Sequence, residues 1–348
     1  MNPIVVSGFG IASSVAMGAP EFLSCASNGS WEQRHDREDL FERAGALFTP
    51  EICRRMDEHT LYGLLAAAEA CAMAGIPSAA IDPSRLGTVL ATLWGPMQTI
   101  NQYFYDVVAK GPAHSSPFLF PYTVTNAVIG GVARLLGCKG ASSMLVGSCP
   151  VAYACDLIRN GKADIVVAGG VENIARFYRL YAPARAREFL FEGAGVVVLE
   201  SEASARLRGV PILARIHGQS QVFLADLNDH VQLGARLKAI FSRAIAGTGI
   251  SAERIQAPVS MFDGDDHTEG RALIEAAVLA VHAGASTANP RRPFAGLNQL
   301  LGPQSVLNLI TGLHQVKSDL ADQPALFLST SCRNGGNISA LMVEGAPV

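Results

Sequence analysis

The stretch Met144–Asp156, MLVGSCPVAYACD, places a cysteine where a nucleophile would be effective. A short apolar run ends at Val146, a glycine and a serine follow, and Cys149 then precedes Pro150 and a segment with helical periodicity. The N-terminus of a helix stabilises a thiolate through the helix dipole. Proline suits the first helical position because its missing N–H is not needed there. The order of residues therefore predicts a thiol nucleophile at a strand-to-helix junction.

The other chemistry-bearing residues give weaker patterns. A free cysteine also packs as a small hydrophobic residue, so an inert buried thiol is the alternative interpretation of Cys149. The acidic run DGDDHTEG (263–270) fits no EF-hand spacing and is interpreted as a solvated turn. The seven cysteines show no C-x-x-C spacing, which predicts reduced thiols in a cytoplasmic protein. We expect neither a metal site nor a cofactor.

Composition narrows the class of protein. The chain has 348 residues, of which 49% are apolar and 16% charged, so it can bury a large core. Its formal net charge of −3 gives no electrostatic reason to bind nucleic acid or an anionic membrane. The N-terminal MNPIVVSGFG lacks the pattern of a signal peptide, and no apolar run is long enough to predict a membrane span.

The elements that must position Cys149 alternate between short buried strands and amphipathic helices, which predicts layered α/β architecture. Two similar halves are expected, 1–205 with Cys149 and 206–348. Gly8 and Gly10 are interpreted as turn glycines that end a first strand at Val6, since a lone G-x-G is a weak dinucleotide fingerprint. Strands are predicted at Ile4–Val6, 85–95, 142–148, 163–172, 192–201, 210–219, 258–264, within 324–336 and at 337–345. Helices are predicted at 57–75, 126–137, 150–161, 231–249, 269–284 and 302–317.

Six motifs in order make the chain resemble the β-ketoacyl synthases, the condensing enzymes of the thiolase fold. The motifs are VVSGFGIAS, RRMDEHTLYGLLAAAEACAMAG, the approach SPFLFPYTVTNAVIGGVARLLGCKGASSMLVGSC, IRNGKADIVVAGGVE, FEGAGVVVLE and RNGGNISALMVE. The resemblance covers nearly the whole chain. It implies two βα halves that form a layered αβαβα domain.

The resemblance also implies a role for Cys149. In the family, the cysteine accepts an acyl group from an acyl carrier protein, with its backbone N–H as an oxyanion donor. Two histidines then assist decarboxylation of a malonyl unit and stabilise the enolate that attacks the acyl-cysteine.

Both family histidines are replaced in this chain. The first position reads Asp263, followed by Gly264, and the second reads Pro303. An anionic carboxylate would repel the enolate, and proline has no side-chain donor. The aromatic gate residue of the C-terminal loop becomes Asn334, followed by Gly335 and Gly336. The resemblance therefore implies a poor condensing enzyme when the chain acts alone.

The two replacements resemble those of chain-length factors, the non-elongating partners of ketosynthases in type II polyketide synthases. The segments MFDG and LGPQSVLNLITGL carry this likeness, although Cys149 departs from it, since chain-length factors usually carry Gln or Glu there. The resemblance implies a heterodimer with a catalytic ketosynthase and contact with an acyl carrier protein. The partner would supply the cysteine and both histidines for a polyketide, polyene or fatty acyl product. Phe118, Phe120 and Pro121 are predicted to line the acyl tunnel or the dimer seam.

Two alternatives remain open at the level of sequence. Cys149 is the acceptor of an acyltransferase or hydrolase that acts on acyl thioesters without decarboxylation, or the chain is a structural partner without an acyl tunnel.

Overall fold

The computed structural model describes residues 3–78, 80–174, 191–250, 255, 302–319, 326–332 and 336–346. Its strands are joined in the order β3-β2-β4-β5-β1-β6-β8-β7. Strand β2 pairs in parallel with β3 and β4, and the other neighbours are antiparallel. The strands are β1 Ile4–Ser13, β2 Leu86–Thr92, β3 Ser142–Val146, β4 Ile165–Glu172, β5 Gly193–Ser201, β6 Ala214–Phe223, β7 Leu326–Cys332 and β8 Asn337–Gly345.

The helices lie between these strands along the chain, with short 3-10 turns at Pro83–Arg85, Pro112–His114 and Phe120–Tyr122. Among the described residues, no helix is both long and apolar enough to cross a membrane. The helices are α1 Ala19–Asn28, α2 Arg37–Gly45, α3 Pro50–Cys53, α4 Glu58–Met73, α5 Met97–Lys110, α6 Ala127–Leu136, α7 Pro150–Arg159, α8 Glu202–Arg208, α9 His230–Ile245 and α10 Gln304–Asp319.

Side chains that alternate between the two faces of the strands divide the core into layers. On β5, Val197 and Leu199 face the cluster that contains α7 and α10, whereas Val196 and Val198 face the cluster that contains α4 and α6. On β8, Leu341 faces the first of these clusters, while its neighbours on the other face pack against α9. Because successive strand residues point to opposite faces, α7 and α10 lie between two layers of strands. The result is the αβαβα arrangement that the family resemblance implied.

The interpretation of Gly8 and Gly10 as turn glycines is wrong. Strand β1 continues through both residues to Ser13, with a bulge between Val6 and Gly8. A Cβ atom at Gly8 would lie 2.2 Å from the carbonyl oxygen of Ala70, and one at Gly10 would lie 2.3 Å from that of Ala66. The glycines therefore let α4 pack directly against the strand backbone.

Helix α4 matches the prediction for 57–75 at both ends. The Asp57 carboxylate caps its N-terminus by accepting a hydrogen bond of 3.0 Å from the Thr60 N–H. Gly75 follows the helix with a φ of 64°, a left-handed conformation that favours glycine. Local chemistry therefore sets where this helix begins and ends.

The second half departs from the predicted bounds. The strand predicted at 210–219 is β6, which begins four residues later and extends to Phe223. Between the predicted halves, a buried ion pair of 2.7 Å joins Arg208 to Glu200 and ties α8 to β5. The division into 1–205 and 206–348 falls inside α8 and stays a prediction. The strand predicted at 258–264 and the helix predicted at 269–284 lie outside the described residues.

Candidate functional site

Cys149 lies at the carboxyl edge of the parallel strands. It is the N-cap of α7, with extended backbone angles, and Pro150 takes the first helical position. Cys149 is 3% exposed and belongs to the core cluster that contains α7 and α10. The Cys149 carbonyl accepts the first helical hydrogen bond, 3.3 Å from the Tyr153 nitrogen. This is the strand-to-helix geometry expected from the sequence, and the role as acyl acceptor stays a prediction.

The turn before Cys149 is fixed by its backbone. Gly147 has a φ of 66°, in the left-handed region where a side chain would be strained. Its N–H donates a hydrogen bond of 3.0 Å to the carbonyl of Thr92, the last residue of β2. The turn that carries Cys149 is therefore attached directly to the neighbouring strand end.

Five further cysteines, Cys25, Cys53, Cys71, Cys138 and Cys155, are poor nucleophiles. Burial raises the pKa of Cys155, which lies on the same helix, to about 12. Burial also raises the pKa values of Cys25, Cys53, Cys71 and Cys138. Because the thiolate is the reactive form, these side chains act as apolar packing at neutral pH.

A buried carboxylate joins the loops of this edge, and sequence reasoning missed it. Glu172 ends β4 and is fully buried. It accepts hydrogen bonds from the Thr92 hydroxyl at 3.1 Å and from the backbone N–H groups of Leu93 at 2.8 Å and Trp94 at 3.2 Å. It also accepts one from the Gly302 N–H at 3.3 Å. An acidic residue closing the apolar run IVVAGGVE was the available signal, because a carboxylate in such a place needs donors.

Pro303, at the second histidine position, lies in a tight buried turn. A Cβ atom at Gly170 would lie 2.1 Å from the Gly302 oxygen, and one at Gly302 would lie 2.5 Å from the Val171 oxygen. The Pro303 carbonyl accepts hydrogen bonds of 3.0 Å from the nitrogens of Val306 and Leu307 and so begins α10. The turn is packed against the end of β4. The Pro303 side chain has no proton donor.

At the first histidine position and in the predicted gate loop, the structure describes only some of the residues. Asp263, Gly264, Asn334 and Gly335 lie outside the described residues. Gly336 has a φ of 81°, and its carbonyl accepts a hydrogen bond of 2.8 Å from the Leu224 nitrogen. The described end of the predicted gate loop is therefore anchored to the segment after β6.

The predicted seam residues are on the surface. Phe118 is 62% exposed and Phe120 is 59% exposed, and Pro121 is exposed beside them. The ring of Phe120 lies 5.7 Å from that of Tyr103 on α5. The Arg55 guanidinium lies 5.6 Å from the centre of the Phe118 ring. Exposed aromatic side chains of this size are typical of a surface that a partner covers.

A cleft of about 310 Å³ lies beside these aromatic rings. Arg37, Arg54 and Arg55 line it together with Phe118 and the acidic residues Asp57 and Glu58. Arg37 pairs with Glu58 at 3.0 Å and Arg55 pairs with Glu51 at 2.7 Å. It therefore combines guanidinium groups with an aromatic ring at the surface. In the part of the chain that the structure describes, no group of three or more potential metal ligands is found.

Family membership follows from comparison with known proteins. Residues 18–191 match the family described as Beta-ketoacyl synthase, N-terminal domain. The chain belongs to the β-ketoacyl synthase family, as its motifs predicted.

Curated relatives match over part of their length. The chain is 28% identical over 261 residues to granaticin polyketide beta-ketoacyl synthase 1 of Streptomyces violaceoruber, and this alignment covers 62% of each protein. It is 29% identical over 191 residues to 3-oxoacyl-[acyl-carrier-protein] synthase 2 of Staphylococcus aureus, which covers 47% of each.

Solved structures match over the full chain. The ishigamide ketosynthase/chain length factor superposes with a TM-score of 0.80 at 20% identity, covering 99% of both chains. A type II PKS acyl-carrier protein in complex with its ketosynthase bound to the hexaketide gives 0.79 at 18% identity, again covering 99% of both. A beta-ketoacyl synthase of Burkholderia phymatum gives 0.74 at 17% identity, covering 99% of this chain and 100% of that one. At these identities the likeness establishes the fold, and the predicted thiolase-like fold is confirmed.

Proposed function

We propose that the chain is a non-elongating, chain-length-factor-like subunit that pairs with a catalytic β-ketoacyl-ACP synthase. In this role it shapes the acyl tunnel during synthesis of a polyketide, polyene or fatty acyl chain. The single observation that carries the proposal is Pro303 in the buried turn before α10. The ishigamide neighbour, named as a ketosynthase/chain length factor, supports the same direction.

The chemistry at this turn supports a role without independent condensation. Decarboxylation of a malonyl unit develops an enolate oxygen that needs positioned hydrogen-bond donors. Pro303 has no side-chain donor, and its backbone carbonyl is occupied by the start of α10. Asp263 at the other position carries a charge of the wrong sign for an enolate. A partner chain would therefore have to contribute the condensing histidines.

The exposed aromatic surface supports a protein partner. Phe118 and Phe120 expose more than half of their area, and the ring of Phe120 lies beside that of Tyr103. Aromatic residues are enriched at protein interfaces because they bury a large area with few rotatable bonds. We assign this surface to the seam with the ketosynthase.

The arginine-lined cleft supports contact with an acyl carrier protein. Arg54 and Arg55 lie at its edge, next to the aromatic surface. Guanidinium groups bind phosphate and carboxylate groups well, so an acidic carrier is a suitable partner for this cleft. The proposal includes a cytoplasmic location, which the free cysteines of the described residues fit.

Co-expression with a catalytic ketosynthase from the same source tests the proposal. We expect a heterodimer by native mass spectrometry and a defined product when malonyl carrier protein is supplied. Replacement of both Phe118 and Phe120 by Asp should abolish association, because charges would be buried at the seam. Leu207→Asp is the matched control, since Leu207 is 89% exposed on α8. Unchanged association of the double variant would contradict the assigned seam.

The position of Cys149 favours a second candidate function. A cysteine at the N-cap of a ten-residue central helix is suited to accept an acyl group from a thioester. Intact mass after incubation with an acyl thioester should show one added acyl group, which Cys149→Ala removes. An unmodified wild-type chain would exclude this function.

A further inference from the structure

Two glutamine side chains of β6 hold the segment that carries Cys149. Gln219 and Gln221 are two residues apart on the strand, so their side chains lie on the same face. Each makes hydrogen bonds to residues adjacent to Cys149 in sequence or on the helix that it caps. None of the sequence motifs discussed above includes these residues.

Gln219 fixes the first turns of α7. Its amide nitrogen donates to the carbonyl of Ala152 at 2.8 Å and to the carboxylate of Asp156 at 2.7 Å. Ala152 and Asp156 are one helical turn apart, so the two acceptors lie on the same face of α7. With both amide protons used, the orientation of the amide plane is set against the helix.

Gln221 fixes the residue on the other side of Cys149. Its side-chain oxygen accepts a hydrogen bond of 3.1 Å from the Ser148 hydroxyl. Ser148 directly precedes Cys149, whereas Ala152 lies three residues after it. Strand β6 therefore holds the chain both before and after the thiol, in addition to the Gly147 bond to Thr92.

The Cys149 side chain makes no capping hydrogen bond of its own within the described residues. The direction of its backbone N–H is therefore set by the backbone on either side, and that of its thiol by the same backbone and by the core side chains around it. A displacement of about 1 Å at a reacting group can reduce a rate by about 100-fold. Gln219 and Gln221 contact residues on both sides of Cys149, so loss of their hydrogen bonds would allow such a displacement of the thiol.

We propose that Gln219 and Gln221 are positioning residues that orient the Cys149 thiol and N–H toward an acyl thioester. The proposal rests on the second candidate function, in which Cys149 accepts an acyl group. In that step the Cys149 thiolate attacks the thioester carbonyl and forms a new S–C bond. The bond between the carbonyl and the donor thiol breaks, and the donor leaves as a thiolate that takes up the proton lost by Cys149.

The test compares two reactions of the same thiol. Hexanoyl-N-acetylcysteamine is the acyl probe, and iodoacetamide, which needs no oxyanion donor, is the alkylating probe. Rates at Cys149 are followed by peptide mass for the wild-type chain, Gln219→Leu, Gln221→Leu and Gln221→Glu. Gln232→Leu is the matched control, because Gln232 is exposed at the start of α9 and bonds Asp229.

We expect Gln219→Leu and Gln221→Leu to lower the maximal acylation rate at least about tenfold. The half-saturating probe concentration should change less than about twofold and the iodoacetamide rate less than about threefold. Gln221→Glu should retain most of the acylation rate, because a side-chain oxygen still accepts from Ser148. Gln232→Leu should behave as the wild-type chain does.

Three results would overturn the proposal in different ways. Equal loss of acylation and alkylation, without rescue by Gln221→Glu, would mean that the glutamines only support folding. Wild-type acylation that the leucine variants match would leave the acceptor function intact and refute the positioning role. A wild-type chain that iodoacetamide alkylates and the thioester leaves unmodified would refute the acceptor function, and the positioning role with it.

Discussion

Replacing His59 by Phe should stabilise the chain, and increasingly so as the pH falls. His59 lies on α4 and is 2% exposed. Neither of its ring nitrogens has a hydrogen-bond partner in the part of the chain that the structure describes. Burial lowers the pKa of His59 from 6.5 to about 3. The folded chain therefore keeps this imidazole neutral, with an unpaired N–H in its core.

The sign and size of the effect follow from proton linkage. Between pH 6.5 and about 3, the unfolded chain binds a proton at His59 that the folded chain does not. The free energy of unfolding then falls by about 1.4 kcal/mol for each pH unit below 6.5. Above pH 6.5 this contribution is flat. Phe removes the titration and also the unpaired N–H, which costs roughly 1–3 kcal/mol at any pH.

Urea unfolding at pH 7.5 and pH 5.0 measures both the cost of the unpaired N–H and the pH-dependent loss of stability. We expect His59→Phe to raise the free energy of unfolding by roughly 1–3 kcal/mol at pH 7.5. The gain should be about 2 kcal/mol larger at pH 5.0, from about 1.5 pH units below the unfolded pKa. His114→Phe is the control, because His114 is exposed in the turn after α5. An equal effect of His59→Phe at both pH values would refute the inference of a neutral, unpaired imidazole.

Three further substitutions test the close contact between β1 and α4, the buried ion pair of Glu200, and the arginine-lined cleft. Gly10→Ala should cost more than about 2 kcal/mol in urea unfolding, because its Cβ would lie 2.3 Å from the Ala66 carbonyl oxygen. Arg208→Met should cost about 3–5 kcal/mol in the same assay, because it leaves the carboxylate of Glu200 buried without its partner. Arg54→Glu should weaken binding of an acyl carrier protein at least about tenfold at low salt, and less at high salt, as followed by titration calorimetry.

Each of these predictions has a matched control. Gly130→Ala should be neutral or slightly stabilising, because nothing lies within 4 Å of a Cβ at Gly130 on α6. Arg206→Met should cost less than about 1 kcal/mol, since Arg206 is 65% exposed in its pair with Glu202. Arg236→Glu, on exposed α9 surface, should leave carrier binding unchanged. Equal effects of a variant and its control would contradict the stated cause.

The local features of the chain could be predicted from its sequence. Cys149 at a strand-to-helix junction follows from an apolar run, a glycine and a proline at the first helical position. Helix α4 follows from its periodicity and its cap, Asp57. The alternation of predicted strands and helices indicated layered α/β architecture, and the resemblance carried by the order of motifs implied the αβαβα arrangement.

The contacts between distant segments could not be predicted. Glu172 bonds Gly302, which is 130 residues away, and Gln219 bonds Asp156, which is 63 residues away. Such pairs depend on the order of the strands in the sheet, and the hydrophobic periodicity of the sequence does not encode that order. Gly8 and Gly10 were misread for a related reason, since the partner that requires a missing Cβ is a helix about 60 residues later.

Elongation by the purified chain tests the central claim most directly. The chain is incubated with an acyl donor and malonyl carrier protein, alone and together with a co-purified catalytic ketosynthase, and the products are analysed by mass. We predict no decarboxylation or elongation by the chain alone, since Pro303 supplies no donor, and a product of defined length from the pair. Elongation at a normal rate by the chain alone would contradict the account.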